Sequence, residues 1–188
     1  TPQKLYFISG GNLYSYDKTT QETYNYTSCN KLHDNNVTKI YYNKEKDYLV
    51  ITYDTGNIDL LYNNDDIKNL PIIKDAVLTY EPDINDVAFD GDNIYIATKF
   101  GLIVYDEKKQ EVKSSGVYGK EISLVTIVGD YVIIDQNHSL YFLHKGGRFE
   151  TFDNFSKISS GYWIDDIEGL NEDKALYRAS NKSMYILT

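Results

Sequence analysis

Apolar residues in this chain either alternate with polar ones or gather in short runs, and clusters of Gly, Asn and Asp separate the runs. In Asp92-Asn93-Ile94-Tyr95-Ile96-Ala97-Thr98-Lys99-Phe100-Gly101-Leu102-Ile103-Val104-Tyr105-Asp106 the pattern predicts two strands, 93–98 and 102–105. A tight turn carrying Gly101 joins them. No window of a dozen residues sustains apolar positions at i, i+3, i+4 and i+7, so no helix longer than a turn or two is expected. Val125-Thr126-Ile127-Val128 and Tyr131-Val132-Ile133-Ile134 are apolar on both faces, which suits a sheet held between two neighbours.

The pattern recurs. Leu13, Ile58, Leu102, Leu140 and Met184 each open a comparable strand, at successive offsets of 45, 44, 38 and 44 residues. A period in this range built from short strands is the signature of β-propeller blades. The predicted fold is therefore all-β, a β-propeller of four-stranded antiparallel blades forming one domain over residues 1–188. Its units are 4–26 (incomplete), 37–70, 84–114, 122–152 and 163–187 (incomplete), about four and a half blades. The fourth unit is expected to carry strands at 122–128, 131–135, 140–144 and 148–152. Eighteen strands do not make whole four-stranded blades, so the chain is expected to be part of a larger or interrupted propeller.

Charge narrows the partners. With 19 Lys and Arg against 28 Asp and Glu, the net charge is −9, against the basic balance that nucleic-acid binding needs. Cys29 is the single cysteine, which excludes an internal disulfide or a cysteine-based zinc site. No apolar run approaches the roughly 18 residues that suggest a membrane span, so no membrane insertion of this domain is expected. Tyrosine is abundant, at 19 residues, and its ring packs between sheets while its hydroxyl stays wet.

Candidate chemistry is sparse. Asp65-Asp66, Asp90 with Asp92, and Asp165-Asp166 with Glu168 read as turns or solvated edges, since a hydrolytic carboxylate pair must face across a cleft. His33, His138 and His144 have no paired metal spacing, and no nucleophile motif accompanies them. No catalytic residue, metal or cofactor is expected. The turns after second strands and the linkers entering each unit share one face of a propeller, and there lysines coincide with aromatic residues. The candidate ligand-binding residues are Lys31, Lys99, Phe100, His138, Lys157, Tyr162 and Trp163, with Asp65 and Asp90 expected on the opposite, more acidic face.

Ile94 to Asp106 resembles the two-component regulator propeller repeat of Bacteroidetes, with Tyr95 in its Trp place and Ala97 in its second Gly place. Gly11-Asn12-Leu13-Tyr14-Ser15-Tyr16-Asp17 matches the second half of that repeat. Together with Lys31-Leu32-His33-Asp34, Tyr48-Leu49-Val50-Ile51-Thr52-Tyr53, Asn57-Ile58-Asp59-Leu60-Leu61 and Ile67-Lys68-Asn69-Leu70-Pro71, these runs are similar to the first propeller of PorZ-type proteins. The resemblance covers most of residues 5–112. It implies a non-catalytic recognition or scaffold propeller of an exported protein at the outer-membrane surface or in the periplasm, with further domains in the same polypeptide. Its implied partners are proteins of the type IX secretion system, or surface glycan including anionic lipopolysaccharide. The repeat also admits a periplasmic sensor propeller of a hybrid two-component regulator. A propeller glycosidase or lyase is the third reading.

Overall fold

Strand follows strand through the whole of the computed structural model, which describes residues 3–77, 79–158, 164–171, 173–179 and 182–187. The chain divides into two compact units, residues 1–83 and 84–188. Among the described residues the only helical element is a single 3-10 turn at Phe152–Asn154, and no helix is long and apolar enough to cross a membrane.

The first unit holds two antiparallel sheets. One is β1 (Lys4–Ser9), β2 (Asn12–Asp17) and β3 (Thr23–Tyr26); the other is β4 (Val37–Asn43), β5 (Tyr48–Tyr53), β6 (Ile58–Tyr62) and β7 (Ile67–Leu70). In both, sequence order is spatial order, the simple meander of a blade. Leu13, Tyr26 and Leu32 pack with Leu49, Ile51, Tyr53 and Leu61 to join the two sheets, helped by Tyr6 and Ile8. Each such aliphatic side chain stabilises the fold by about 1.5–3 kcal/mol when fully buried. β1 alternates strictly: Tyr6 and Ile8 enter this core, whereas Leu5 and Phe7 point the other way and stay exposed.

The second unit holds three sheets: β8 (Ile84–Asp90) to β11 (Glu111–Val117) with β9 (Asn93–Thr98) and β10 (Gly101–Asp106) between, then β12 (Leu124–Val128), β13 (Tyr131–Gln136), β14 (Ser139–His144) and β15 (Ser156–Ile158), then β16 (Ile164–Asn171), β17 (Lys174–Ala179) and β18 (Met184–Leu187). β12 runs beside β8 on one side and β16 on the other. The middle sheet is therefore buried on both faces. Val132 and Ile134 of β13 meet Tyr95, Ala97, Leu102 and Val104, while Ile133 between them meets Ile167 and Ala175. This is why the β13 sequence is apolar without alternation.

Close backbone approach locks neighbouring sheets. The Val125 amide donates to Asp86 Oδ2 (2.9 Å), and the Gly169 amide donates to Thr126 Oγ1 (3.0 Å). The first strands β4, β8 and β16 each carry a register shift near their start, between Val37 and Lys39, Ile84 and Asp86, and Ile164 and Asp166. Such bulges re-aim side chains, and the one in β8 turns Asp86 toward β12.

The fold is all-β and that of a partial β-propeller, and the described residues form 18 strands in five sheets of three, four, four, four and three. Leu13, Ile58, Leu102 and Leu140 lie at the start of corresponding strands and are buried; Met184 opens β18 but is 55% exposed. One strand is misplaced by the sequence pattern. The expected fourth strand is 148–152, with Phe149 and Phe152 set among polar residues, yet the fourth strand of that sheet is Ser156–Ile158, pairing with β14. The 148–155 segment instead sends Phe149 and Phe155 into the core beside Tyr95. It is held in a loop by Asn154 Nδ2 donating to the Arg148 carbonyl (2.9 Å) and by the Tyr118 hydroxyl donating to the Phe149 carbonyl. Ile122, expected to open β12, lies before the strand and is fully buried.

Candidate functional site

In the first unit the linker from β3 to β4 is tied down by one buried carboxylate. Asp59, in β6, is 0% exposed and accepts four hydrogen bonds or charge contacts. The His33 amide (2.9 Å) and the Tyr53 hydroxyl (2.6 Å) reach its Oδ2, while Asn69 Nδ2 (2.9 Å) and His33 Nδ1 (2.9 Å) reach its Oδ1. Burial, then the bond to Asp59, pushes the Tyr53 phenol well above its ordinary pKa, so it acts as a fixed donor. His33 sits in the linker with its ring about half exposed. It is a loop histidine, but one anchored to the core.

Its neighbour Asp34 accepts from Lys74 Nζ (2.7 Å), Thr55 Oγ1 (2.7 Å) and the Asn35 amide (2.8 Å). Burial acts to raise the Asp34 pKa, but the donors led by Lys74 outweigh it and hold the carboxyl below its ordinary value. A lowered folded-state pKa contributes stability above the unfolded value of about 3.9 and loses it as pH falls through the folded value. In urea titrations the stability difference between the parent protein and Asp34→Asn is therefore expected to be full at neutral pH and to shrink below about pH 4. A difference independent of pH would refute this role.

Lys31, a candidate for the linker face, extends instead to the β6–β7 turn and donates to the Asp65 carbonyl (2.7 Å). Lys4 pairs with the Asp65 carboxylate (3.0 Å). The expected separation of Lys31 from the acidic turn holding Asp65 is thus corrected: the long lysine stem spans it. Around these groups lies an open groove of about 560 Å³, lined also by Ser15, Asp17, Glu22, Thr23, Tyr24 and Tyr26.

In the second unit the candidates scatter. Phe100 is 1% exposed and packs inside, contrary to the exposure expected of a binding residue. The cause is the turn itself. Thr98 Oγ1 accepts from the Phe100 (3.2 Å) and Gly101 (3.0 Å) amides, which folds the Phe100 ring inward. Lys99 beside it is partly exposed. His138 and Asn137 form a two-residue hairpin turn with φ of 60° and 49°, the geometry of a primed turn, which Asn and His tolerate. Asp135 close by is buried, and burial raises its pKa against the opposing influence of His138 and Ser123. Tyr162 and Trp163 lie outside the described residues. Asp165, Asp166 and Glu168 of β16 are exposed on a strand, and Asp90 is paired with Lys145 (2.6 Å). Among the described residues no group of three His, Cys, Asp or Glu side chains converges to hold a metal.

What the second unit does assemble is a basic, aromatic edge. Lys157 lies not in a linker but on β15, its ammonium 5.8 Å from the Tyr141 ring centre. Tyr141 meets Phe152 edge to face (5.0 Å), and Lys120 sits 4.1 Å over Phe152. Phe152 in turn contacts Tyr118 and Phe155, which anchor the rings in the core. Both lysines are exposed. Sequence reasoning missed Tyr141 and Phe152 because the expected strand at 148–152 placed Phe152 in a sheet; the 3-10 turn brings it beside Tyr141.

Blades built from meandering strands, with Thr98 closing the turn before Gly101, define the class: a partial β-propeller. The chain belongs to the family described as the type IX secretion system PorZ N-terminal β-propeller domain, which matches residues 5–156. Among solved structures it is similar to PorZ, described as an essential bacterial surface component of the type IX secretion system of Porphyromonas gingivalis. That likeness has a TM-score of 0.87 at 22% identity, and covers 100% of this chain and 26% of that one. It is also similar to the extracellular domain of a putative one-component system from B. thetaiotaomicron (TM-score 0.73, 13% identity, 98% of this chain and 26% of that one). Saccharomyces cerevisiae Sqt1 shares the fold too (TM-score 0.74, 12% identity, 98% and 55%). The chain thus spans about a quarter of the length of PorZ. No curated protein matches the sequence significantly.

Proposed function

We propose that this propeller is a non-catalytic recognition domain of an exported bacterial surface protein serving type IX secretion, and that it engages an anionic surface glycan or an acidic secretion partner. Membership of the PorZ propeller family carries the first part of this reading. The edge formed by Lys120 and Lys157 over Phe152 and Tyr141 supports the second. A lysine held over a ring keeps its charge while losing conformational freedom, and an exposed cation–π pair of this kind contributes about 0.5–1 kcal/mol. The overall charge of −9 repels polyanions elsewhere, so binding must be local.

Purified anionic lipopolysaccharide is the probe. Binding is expected to weaken with salt and to fall about tenfold in the Lys120→Ala, Lys157→Ala double variant, a loss of about 1.4 kcal/mol. Lys108→Ala, Lys109→Ala is the control pair and is expected to have little effect. Equal losses from both pairs mean diffuse attraction and defeat the assignment of the edge.

Similarity to an extracellular sensor domain favours one second reading, a ligand-binding propeller in a signalling receptor. A histidine kinase encoded in the same polypeptide would decide for it.

A further inference from the structure

We infer that the groove between the two sheets of the first unit is a binding subsite for a hexopyranose that carries no negative charge. This is a separate site from the basic edge, in a separate unit, and it rests on different residues.

The groove is lined by residues of β1, β2 and β3, by Lys31 of the β3–β4 linker and by Asp65 of the β6–β7 turn. Its floor is Ser15 and the buried Tyr26, linked by a hydrogen bond of 3.4 Å between their hydroxyls. Tyr24 stands at the rim, 45% exposed, and is braced edge-on against Tyr26 at 4.7 Å. A ring fixed in this way presents a face with negative quadrupole to the C–H groups of a pyranose. The opposite wall is Asp65, gripped by Lys4 through both carboxylate oxygens (3.0 and 3.2 Å) and by Lys31 at its carbonyl. Asp17 and Glu22 add two more carboxylates, and Thr20 and Thr23 add hydroxyls.

This combination of one exposed, immobilised ring with prepositioned polar groups is what orients a polyhydroxylated ligand. The volume of about 560 Å³ falls within the ~300–1,000 Å³ of small-ligand sites. Charge sets the ligand class. Lys4 and Lys31 both turn onto Asp65, and the three carboxylates outnumber the two ammonium groups. An acidic sugar is repelled there; a neutral or amino sugar is accepted.

The test uses the 188-residue protein with methyl α-glucopyranoside, glucosamine and glucuronate, followed by saturation-transfer NMR and calorimetry. The first two are expected to bind with millimolar Kd, and glucuronate more weakly than either. Tyr24→Ala is expected to raise Kd at least about tenfold, while Tyr24→Phe retains binding because the ring face is kept. Because Tyr24 is exposed, thermal unfolding of both variants reports whether the fold is intact. Absence of binding by all three sugars, tightest binding of glucuronate, or unchanged binding in Tyr24→Ala overturns the inference. The Lys120→Ala, Lys157→Ala variant is expected to bind the sugars normally. If the parent protein holds anionic lipopolysaccharide but none of the three sugars, the groove assignment fails while the recognition reading stands.

Discussion

Gly101→Ala is expected to destabilise the protein by about 3–5 kcal/mol, and to lower its thermal midpoint by roughly 10 °C for a domain of this size. A Cβ at Gly101 would lie 1.8 Å from the Gly116 carbonyl oxygen and 2.9 Å from its carbonyl carbon. Both are backbone atoms of β11, so no rotamer change relieves the contact. β11 would have to move away from β10, breaking the Gly101–Val117 end of their register. The same shift pulls at the Phe100 carbonyl, which accepts from the Tyr118 (2.8 Å) and Gly119 (3.1 Å) amides. The φ of +156° adds strain for any side chain. Gly91→Ala is the control. Its φ of +54° is also positive, but a Cβ there meets nothing within 4 Å. That substitution is expected to cost only about 1–2 kcal/mol, the price of left-handed backbone alone. Equal losses at the two positions in urea denaturation would show that backbone conformation, not the approach of β11, explains the glycine.

Gly101 also shows which parts of this fold were legible in the sequence. The Thr-x-x-Gly-Leu spacing is visible as a motif because its reason is local: Thr98 closes the turn and Gly101 admits the neighbouring strand. The strands of β13 and β10 were equally plain, since burial on two faces leaves an uninterrupted apolar run. β15 was not, because three residues of Ser-Lys-Ile carry almost no pattern while 148–152 imitates a strand. What decides between them is Phe149 and Phe155 packing beside Tyr95 and Val104, a contact spanning about fifty residues of sequence. The candidate site was less legible still. Phe100 in a turn looks exposed until Thr98 directs it inward. Lys31 looks like a free cation until Asp65 is found within reach. Lys157 lies on the proposed edge, but its companions Tyr141 and Phe152 come together only through that same non-local fold.

Asp59 is the residue whose importance the sequence conceals most, and Asp59→Ala is expected to cost about 3–5 kcal/mol, the loss seen when one member of a buried charged network is removed. Within Ile58-Asp59-Leu60-Leu61 it reads as one polar residue on a strand, though its neighbours are all buried. That is the available signal: a carboxylate inside a run with no wet face must be satisfied from within. Its removal strands the Tyr53 hydroxyl and two groups of His33 without this acceptor, while Asn69 Nδ2 keeps only Asn57 Oδ1 and the Ile58 carbonyl. Asp59→Asn keeps one acceptor oxygen and places a donor against the others, so its loss is expected to be smaller. Asp75→Ala, at an exposed position, is expected to change stability by no more than about 0.5 kcal/mol. The effect should also be local. The His33 amide is fixed by Asp59, so hydrogen exchange in Asp59→Asn is expected to quicken at residues 31–36 before it does in β5 or β6. Unchanged exchange in that segment, with stability lost, would mean that Asp59 supports the sheet alone and leaves the linker positioned by Asp34 and Lys74.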